Sequence, residues 1–242
     1  MTHARTDVRF LLALASFGVA CATGGAATRP AVGDSDVPPF RQEQRAEVYR
    51  LADAAAWTLW HSPSRAVSEH EVTQDGKTMR LVLECRDGDG KAEGWAFLPP
   101  GEESGPDFGF LFDLDRDGRV DYLVFNGGPM FDKTLGSLAW MNYHWIDSNA
   151  DGRVDIAVYN DVDLDGDHFL DAGWTAWVQD RDLDGLPDAA EYVGPGTSRP
   201  VEKSDGCFVV KRVVGDVKAC DSDRDHFGGL SVVMAHIQSA MR

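Results

Sequence analysis

The sequence predicts a mainly β, α+β fold: an antiparallel meander with acidic loops at its strand connections, plus an N-terminal and a C-terminal helix. Three observations lead there. Short runs of aromatic and β-branched residues recur through the middle of the chain, as in the alternating Phe108, Phe110 and Phe112, which favours strands. Such runs stand on both sides of a repeated Asp-rich loop, so most copies of the loop read as hairpin connections. Helical spacing of apolar residues is confined to two segments, one before and one after the strands.

In chain order, Val48, Leu51, Ala52, Ala55 and Leu59 fall on one helical face between Arg41 and Trp60. Pro63 ends that helix, because its ring cannot continue one. Residues 66–84 read as a hairpin around Asp75-Gly76, with Val67 and Val72 on one arm and Met79, Leu81 and Leu83 on the other. Residues 95–98 add a strand before Pro99-Pro100. Residues 108–112 enter the first acidic loop, residues 122–125 leave it, and Gly127-Gly128 reads as a turn. Residues 138–146 lead into the second loop and residues 156–159 leave it; residues 173–178 run from a third acidic stretch into a fourth. Residues 208–214 and 217–219 suggest a hairpin around Gly215-Asp216. Last, Leu230, Val233, Met234, Ile237 and Met241 share a helical face after Gly228-Gly229, which reads as core packing.

The formal charge is −17, and five acidic stretches hold nineteen Asp between them. Without counter-ions these carboxylates oppose compaction, and each divalent cation would offset two charges. The acidic balance argues against nucleic-acid binding, which needs Lys/Arg patches. Arg5 and Arg9 precede a short apolar run, residues 10–20, followed by small residues, the layout of an export signal. Residues 22–39, rich in Gly, Ala, Thr and Pro, read as a flexible tether, and residues 40–242 as a single globular domain with its acidic-loop region at 108–193. Cys85, Cys207 and Cys220 lie in the globular part, so at most one bridge forms there. Cys207–Cys220 is the most local pairing, and either partner could instead take Cys85. No Cys-x-x-Cys occurs, which argues against a redox or thiolate-zinc site.

The loop pattern is Asp-x-Asp/Asn-x-Asp-Gly-x-x-Asp. Alternate carboxylates on a tight turn make an oxygen cage for a hard cation, and calcium takes six to eight such ligands. In the first loop Asp113, Asp115, Asp117 and Asp121 supply side-chain oxygens, Gly118 the turn, and Arg119 its carbonyl, while Val120 points into the core. In the second, Asp147, Asn149, Asp151, Asp155 and the Arg153 carbonyl play these parts around Gly152. The third stretch can start at Asp161 or at Asp163. The second register, Asp163, Asp165, Asp167 and Asp171, puts His168 at the turn and matches the Asp-His-Phe ending of a fifth stretch, Asp221, Asp223 and Asp225. The fourth loop has Asp180, Asp182, Asp184, the Leu186 carbonyl and Asp188, with Glu191 at the twelfth position where an EF-hand has its bidentate ligand.

DLDRDGRVDYLVFNGG and DSNADGRVDIAVYN resemble the calcium-binding repeat of FG-GAP/VCBS proteins, and DRDLDGLPDAAEY resembles the thrombospondin type 3 repeat. These resemblances imply calcium-binding loops that stiffen an extracellular module. Loop starts are 16 to 41 residues apart, too uneven for propeller blades, so a shared loop is expected and not a propeller. Gly18-Val19-Ala20-Cys21 resembles the lipobox of bacterial lipoproteins, which implies lipidation of Cys21; the alternative is cleavage after Ala22. The expected function is a calcium-stabilised structural or binding module of the cell envelope, attached to a membrane only through lipid, or secreted. A protein or carbohydrate ligand is a further expected partner, through strand aromatics such as Trp140, Trp145, Trp174 and Trp177. A secreted calcium-dependent hydrolase is the rival reading, although no Ser/His/Asp or HExxH constellation occurs.

Overall fold

A computed structural model describes residues 40–74, 76–102, 107–115, 117–132, 137–220 and 225–241. The export signal, Cys21 and the tether lie outside the described residues. A turn of 3-10 helix, Gln42–Gln44, leads into α1 (Arg45–Trp60). Ten strands follow: β1 (Arg65–Gln74), β2 (Lys77–Cys85), β3 (Gly94–Leu98), β4 (Asp107–Phe112), β5 (Tyr122–Asp132), β6 (Ser137–Ile146), β7 (Ile156–Tyr159), β8 (Thr175–Gln179), β9 (Ala189–Gly194) and β10 (Thr197–Pro200). They form one antiparallel sheet in strict chain order. A second sheet holds β11 (Lys203–Ser204), β12 (Cys207–Val210) and β13 (Val217–Cys220), and α2 (Asp225–Ala240) ends the described fold. The class is the one the alternating pattern implies.

Both faces of the large sheet are apolar, and each is covered by different elements. Phe110, Phe112, Tyr122, Val124, Ile146, Ile156, Val158 and Trp177 form one core with Val48, Ala52, Ala56 and Leu59 of α1. Their strand neighbours Leu111, Leu123, Trp145, Ala157, Ala176 and Val178 point the other way, as period two requires. They pack with Phe208, Val210 and Ala219 of the small sheet and Phe227, Met234 and Ile237 of α2. Polar bonds also tie α1 to the sheet: Arg45 pairs with Glu191 at 2.6 Å, and Asn142 donates to Asp53 at 2.8 Å.

The small sheet is fastened twice. Cys207 and Cys220 sit opposite each other on β12 and β13 and form a disulfide, leaving Cys85 a buried free thiol. Arg212 donates to both oxygens of the fully buried Asp161, at 2.7 and 2.9 Å, with its guanidinium over the rings of Tyr143 and Tyr159.

Three expected boundaries differ. The strand expected over 208–214 ends at Val210. Gly127-Gly128 is not a turn: β5 runs through it to Asp132, with an irregularity in its pairing to β6 between Asn126 and Gly128. A glycine there lets the Tyr143 ring lie against the strand, since a Cβ on Gly127 would stand 2.8 Å from it. α2 begins at Asp225, before Gly228-Gly229, so the fifth acidic stretch runs into a helix and not between two strands.

Candidate metal centre

In a meander, every second connection lies at the same end of the sheet. The β2–β3, β4–β5, β6–β7 and β8–β9 connections therefore share one end, and the β7–β8 connection lies at the other. The three clean loops, Asp113–Asp121, Asp147–Asp155 and Asp180–Asp188, thus stand in a row, each two strands from the next. At a strand spacing of about 4.8 Å that is roughly 10 Å between loops. The Asp163–Asp171 stretch faces away from them.

Each loop is built by the same bonds. The sixth residue donates its N–H to the first Asp: Gly118 to Asp113 at 2.8 Å, Gly152 to Asp147 at 2.6 Å, His168 to Asp163 at 3.0 Å and Gly185 to Asp180 at 2.7 Å. The seventh donates to the fifth: Arg119 to Asp117, Arg153 to Asp151, Phe169 to Asp167 and Leu186 to Asp184. The second donates to the ninth: Leu114 to Asp121, Ser148 to Asp155, Leu164 to Asp171 and Arg181 to Asp188. In the third stretch these bonds start from Asp163, while Asp161 is taken by Arg212. His168 occupies the turn with φ +65°, a conformation His enters more readily than most residues. At the eighth position Val120 and Val154 join the core, Leu170 packs with Met141, and Pro187 is buried.

No protein-family model, curated protein or solved structure matches the chain. What the loops can do rests on their own chemistry.

One carboxylate oxygen from each of Asp113, Asp115 and Asp121 comes within 4.8 Å of the others, and the same holds for Asp163, Asp165 and Asp171, and for Asp180, Asp182 and Asp188. These clusters could hold a metal ion. In the second loop Asn149 takes the third position and donates to Asp151 at 3.1 Å, and Asp147, Asp151 and Asp155 do not converge as the other three sets do. Asp121 is the decisive residue. It is 5% exposed; its Oδ2 accepts from Leu114, and its Oδ1 has no partner among the described residues. Burial, with the nearby charges of Asp115 and Asp113, pushes its carboxyl up to about 7. Burial likewise raises Asp155 to about 6, against the pull of two bonds from Ser148, and raises Asp147 and Asp180. Burial makes the charged form of each of these groups costlier than in water, a cost that a cation in the loop would offset.

Glu191 is not brought to the fourth loop. The loop closes at Asp188 and β9 starts at Ala189; alternation then sends Glu191 to the α1 face, where it meets Arg45 and accepts from Gln179 at 3.0 Å. Asp221 and Asp223 lie outside the described residues, as does the side chain of Asp225. Of the strand aromatics, Trp145 and Trp177 are buried, and Arg199 lies over the half-buried Trp174. The Trp140 side chain lies outside the described residues.

One acidic loop escaped the sequence reading. Residues 85–93, between β2 and β3, follow the same spacing with Cys85 first, Asp87 third, Asp89 fifth, Gly90 sixth and Glu93 ninth. Its bonds repeat the others: Gly90 donates to the Cys85 sulfur at 3.3 Å, Lys91 to Asp89 at 2.7 Å and Arg86 to Glu93 at 2.6 Å. Ligand atoms of Cys85, Asp87, Asp89 and Glu93 also lie within 4.8 Å of one another. Aligning the segment on its Asp-Gly-Asp-Gly run, with any residue allowed first and Glu allowed ninth, would have found it.

Proposed function

We propose that the chain is an exported module of the bacterial cell envelope whose acidic loops bind calcium, and that the bound ions clamp its hairpin turns. The observation that carries this is the buried Oδ1 of Asp121, unpartnered among the described residues, beside Asp113 and Asp115. A buried carboxylate oxygen without a partner is costly, and a cation in the loop would satisfy it. Calcium suits the donors of the Asp loops, which are all oxygen and numerous; magnesium prefers to keep its waters. The FG-GAP-like and thrombospondin type 3-like loop sequences support the same ion. Attachment through Cys21, or release after Ala22, follows from the leader, and the mass of the mature N-terminus separates the two.

Thermal melts with calcium and with chelator test the reading. With affinity of ~0.1–1 mM, as in extracellular modules, calcium at about a hundred times Kd should add ~2.7 kcal/mol per site. Calorimetric titration should show heat of binding, and magnesium should raise the melting temperature less. No heat and no calcium-dependent shift would sink the proposal.

A further inference from the structure

Four acidic connections share one end of the sheet, and the three Asp loops among them are joined by main-chain bonds that run from ligand to ligand, whereas Glu93 of the Cys85 loop accepts from Leu111 and not from Asp113. Asp147 donates its N–H to the Asp121 carbonyl at 2.8 Å, and Asp180 donates to the Asp155 carbonyl at 2.8 Å. Thus the ninth residue of one loop holds the first residue of the next. Arg119 adds a second link, donating from Nη1 to the Ala150 carbonyl at 3.1 Å. Ala150 sits at φ +59°, a conformation that costs an L-residue energy, so the first loop braces a strained point of the second. α2 also touches both: Gln238 donates to the Val120 carbonyl, and Val154 donates to the Ser231 hydroxyl. The Asp163–Asp171 loop has no part in this row; Asp163 donates to the Lys211 carbonyl beside the small sheet.

We infer that cation binding is cooperative along the row Asp113–Asp121, Asp147–Asp155, Asp180–Asp188, and independent at Asp163–Asp171. The inference rests on the calcium reading proposed above. Asp121 is both a ligand candidate with a buried oxygen unpartnered among the described residues and the anchor of Asp147. An ion that fixes Asp121 fixes the carbonyl that positions Asp147, so the second ion finds its first ligand already ordered. Ordering done by one ligand lowers the entropic cost for the next. Repulsion between ions acts the other way, but at roughly 10 Å spacing it is largely screened when the Debye length is about 8 Å, at physiological salt.

The sixth-position amides report each loop separately. In a calcium titration of the full chain followed by amide NMR at physiological salt, Gly118, Gly152 and Gly185 should move together with a Hill coefficient above 1. His168 should follow a separate, simple curve. Asp115→Ala, an exposed change in the first loop, should weaken the Gly152 response about fivefold or more, a typical coupling. Asp165→Ala, equally exposed, should silence His168 and leave the other three unmoved. Simple, independent curves for all four amides, or a Gly152 midpoint untouched by Asp115→Ala, would overturn the coupling and leave calcium binding standing. Silence of all four amides would overturn both.

Discussion

Replacing Asp121 by Asn should have opposite effects with and without calcium. In metal-depleted protein at pH 8, Asp121 must be ionised although its carboxyl is pushed from 3.8 to about 7 by burial and by Asp115 and Asp113. A folded pKa above the unfolded one stabilises fully below the unfolded value, and that stability is lost as pH rises through about 7. Three units correspond to ~4 kcal/mol at pH 8. Asn cannot ionise, and its oxygen can keep the bond from Leu114. Its NH2 would replace the unpartnered Oδ1, and an unmet donor costs about 1–3 kcal/mol. The net gain is then ~1–3 kcal/mol, or about 2–10 °C for a domain of this size. Scanning calorimetry should show Asp121→Asn melting above the native chain at pH 8 without metal, with the advantage gone at pH 5, where only about 1.2 units, ~1.6 kcal/mol, of the cost remains and the unmet donor of Asn offsets it. In calcium the order should reverse, because the variant loses a ligand. A variant that melts below the native chain at pH 8 without metal, or that keeps the full calcium shift, would refute the argument.

Gly109 on β4 has no room for a side chain: a Cβ would stand 2.8 Å from the carbonyl carbon of Val124, a main-chain group that cannot rotate away. Gly109→Ala should therefore cost ~3 kcal/mol or more by urea titration, at the upper end of overpacking penalties. Asp161→Ala leaves the mostly buried Arg212 charge unpaired and should cost ~3–5 kcal/mol, visible as a lower urea midpoint. Reducing Cys207–Cys220, thirteen residues apart, should cost ~3 kcal/mol, read as a drop in melting temperature with reductant. Calcium should leave binding of a hydrophobic dye unchanged, because the loops join strands that are already paired; a rise in dye fluorescence on calcium addition would indicate an opening switch instead.

The strands and their alternation were legible because period two needs only local information. Both faces of this sheet are buried, yet the residues alternate between two different cores, so Phe110 and Phe112 meet α1 while Leu111 meets the other layer. Strand count was less legible. Gly127-Gly128 has the composition of a turn, but Tyr143 on the neighbouring strand needs the space a glycine leaves, and β5 continues. That continuation matters, because the number of strands between two loops decides whether they share an end. Reading a turn at Gly127-Gly128 would have left the alignment of the first and second loops undetermined.

The site was legible where the first ligand is Asp and obscure where backbone direction takes over. Glu191 has the twelfth-position spacing of an EF-hand, but that spacing presumes a helix after the loop, which returns the twelfth residue towards the ion. Here a strand follows, Ala189 to Gly194, and alternation hands Glu191 to Arg45. The Cys85 loop shows the converse: its spacing and its bonds match the Asp loops, and two changed side chains, Cys at the first position and Glu at the ninth, hid it. In both cases the deciding quantity is the strand geometry around the loop. A hairpin loop with strands on both sides has nine positions to offer, so its ion holds a turn closed; an EF-hand loop reaches its twelfth ligand through a movable helix and can thereby transmit binding. The β-flanked loops of this chain belong to the first kind, which is why the proposed calcium role is a clamp.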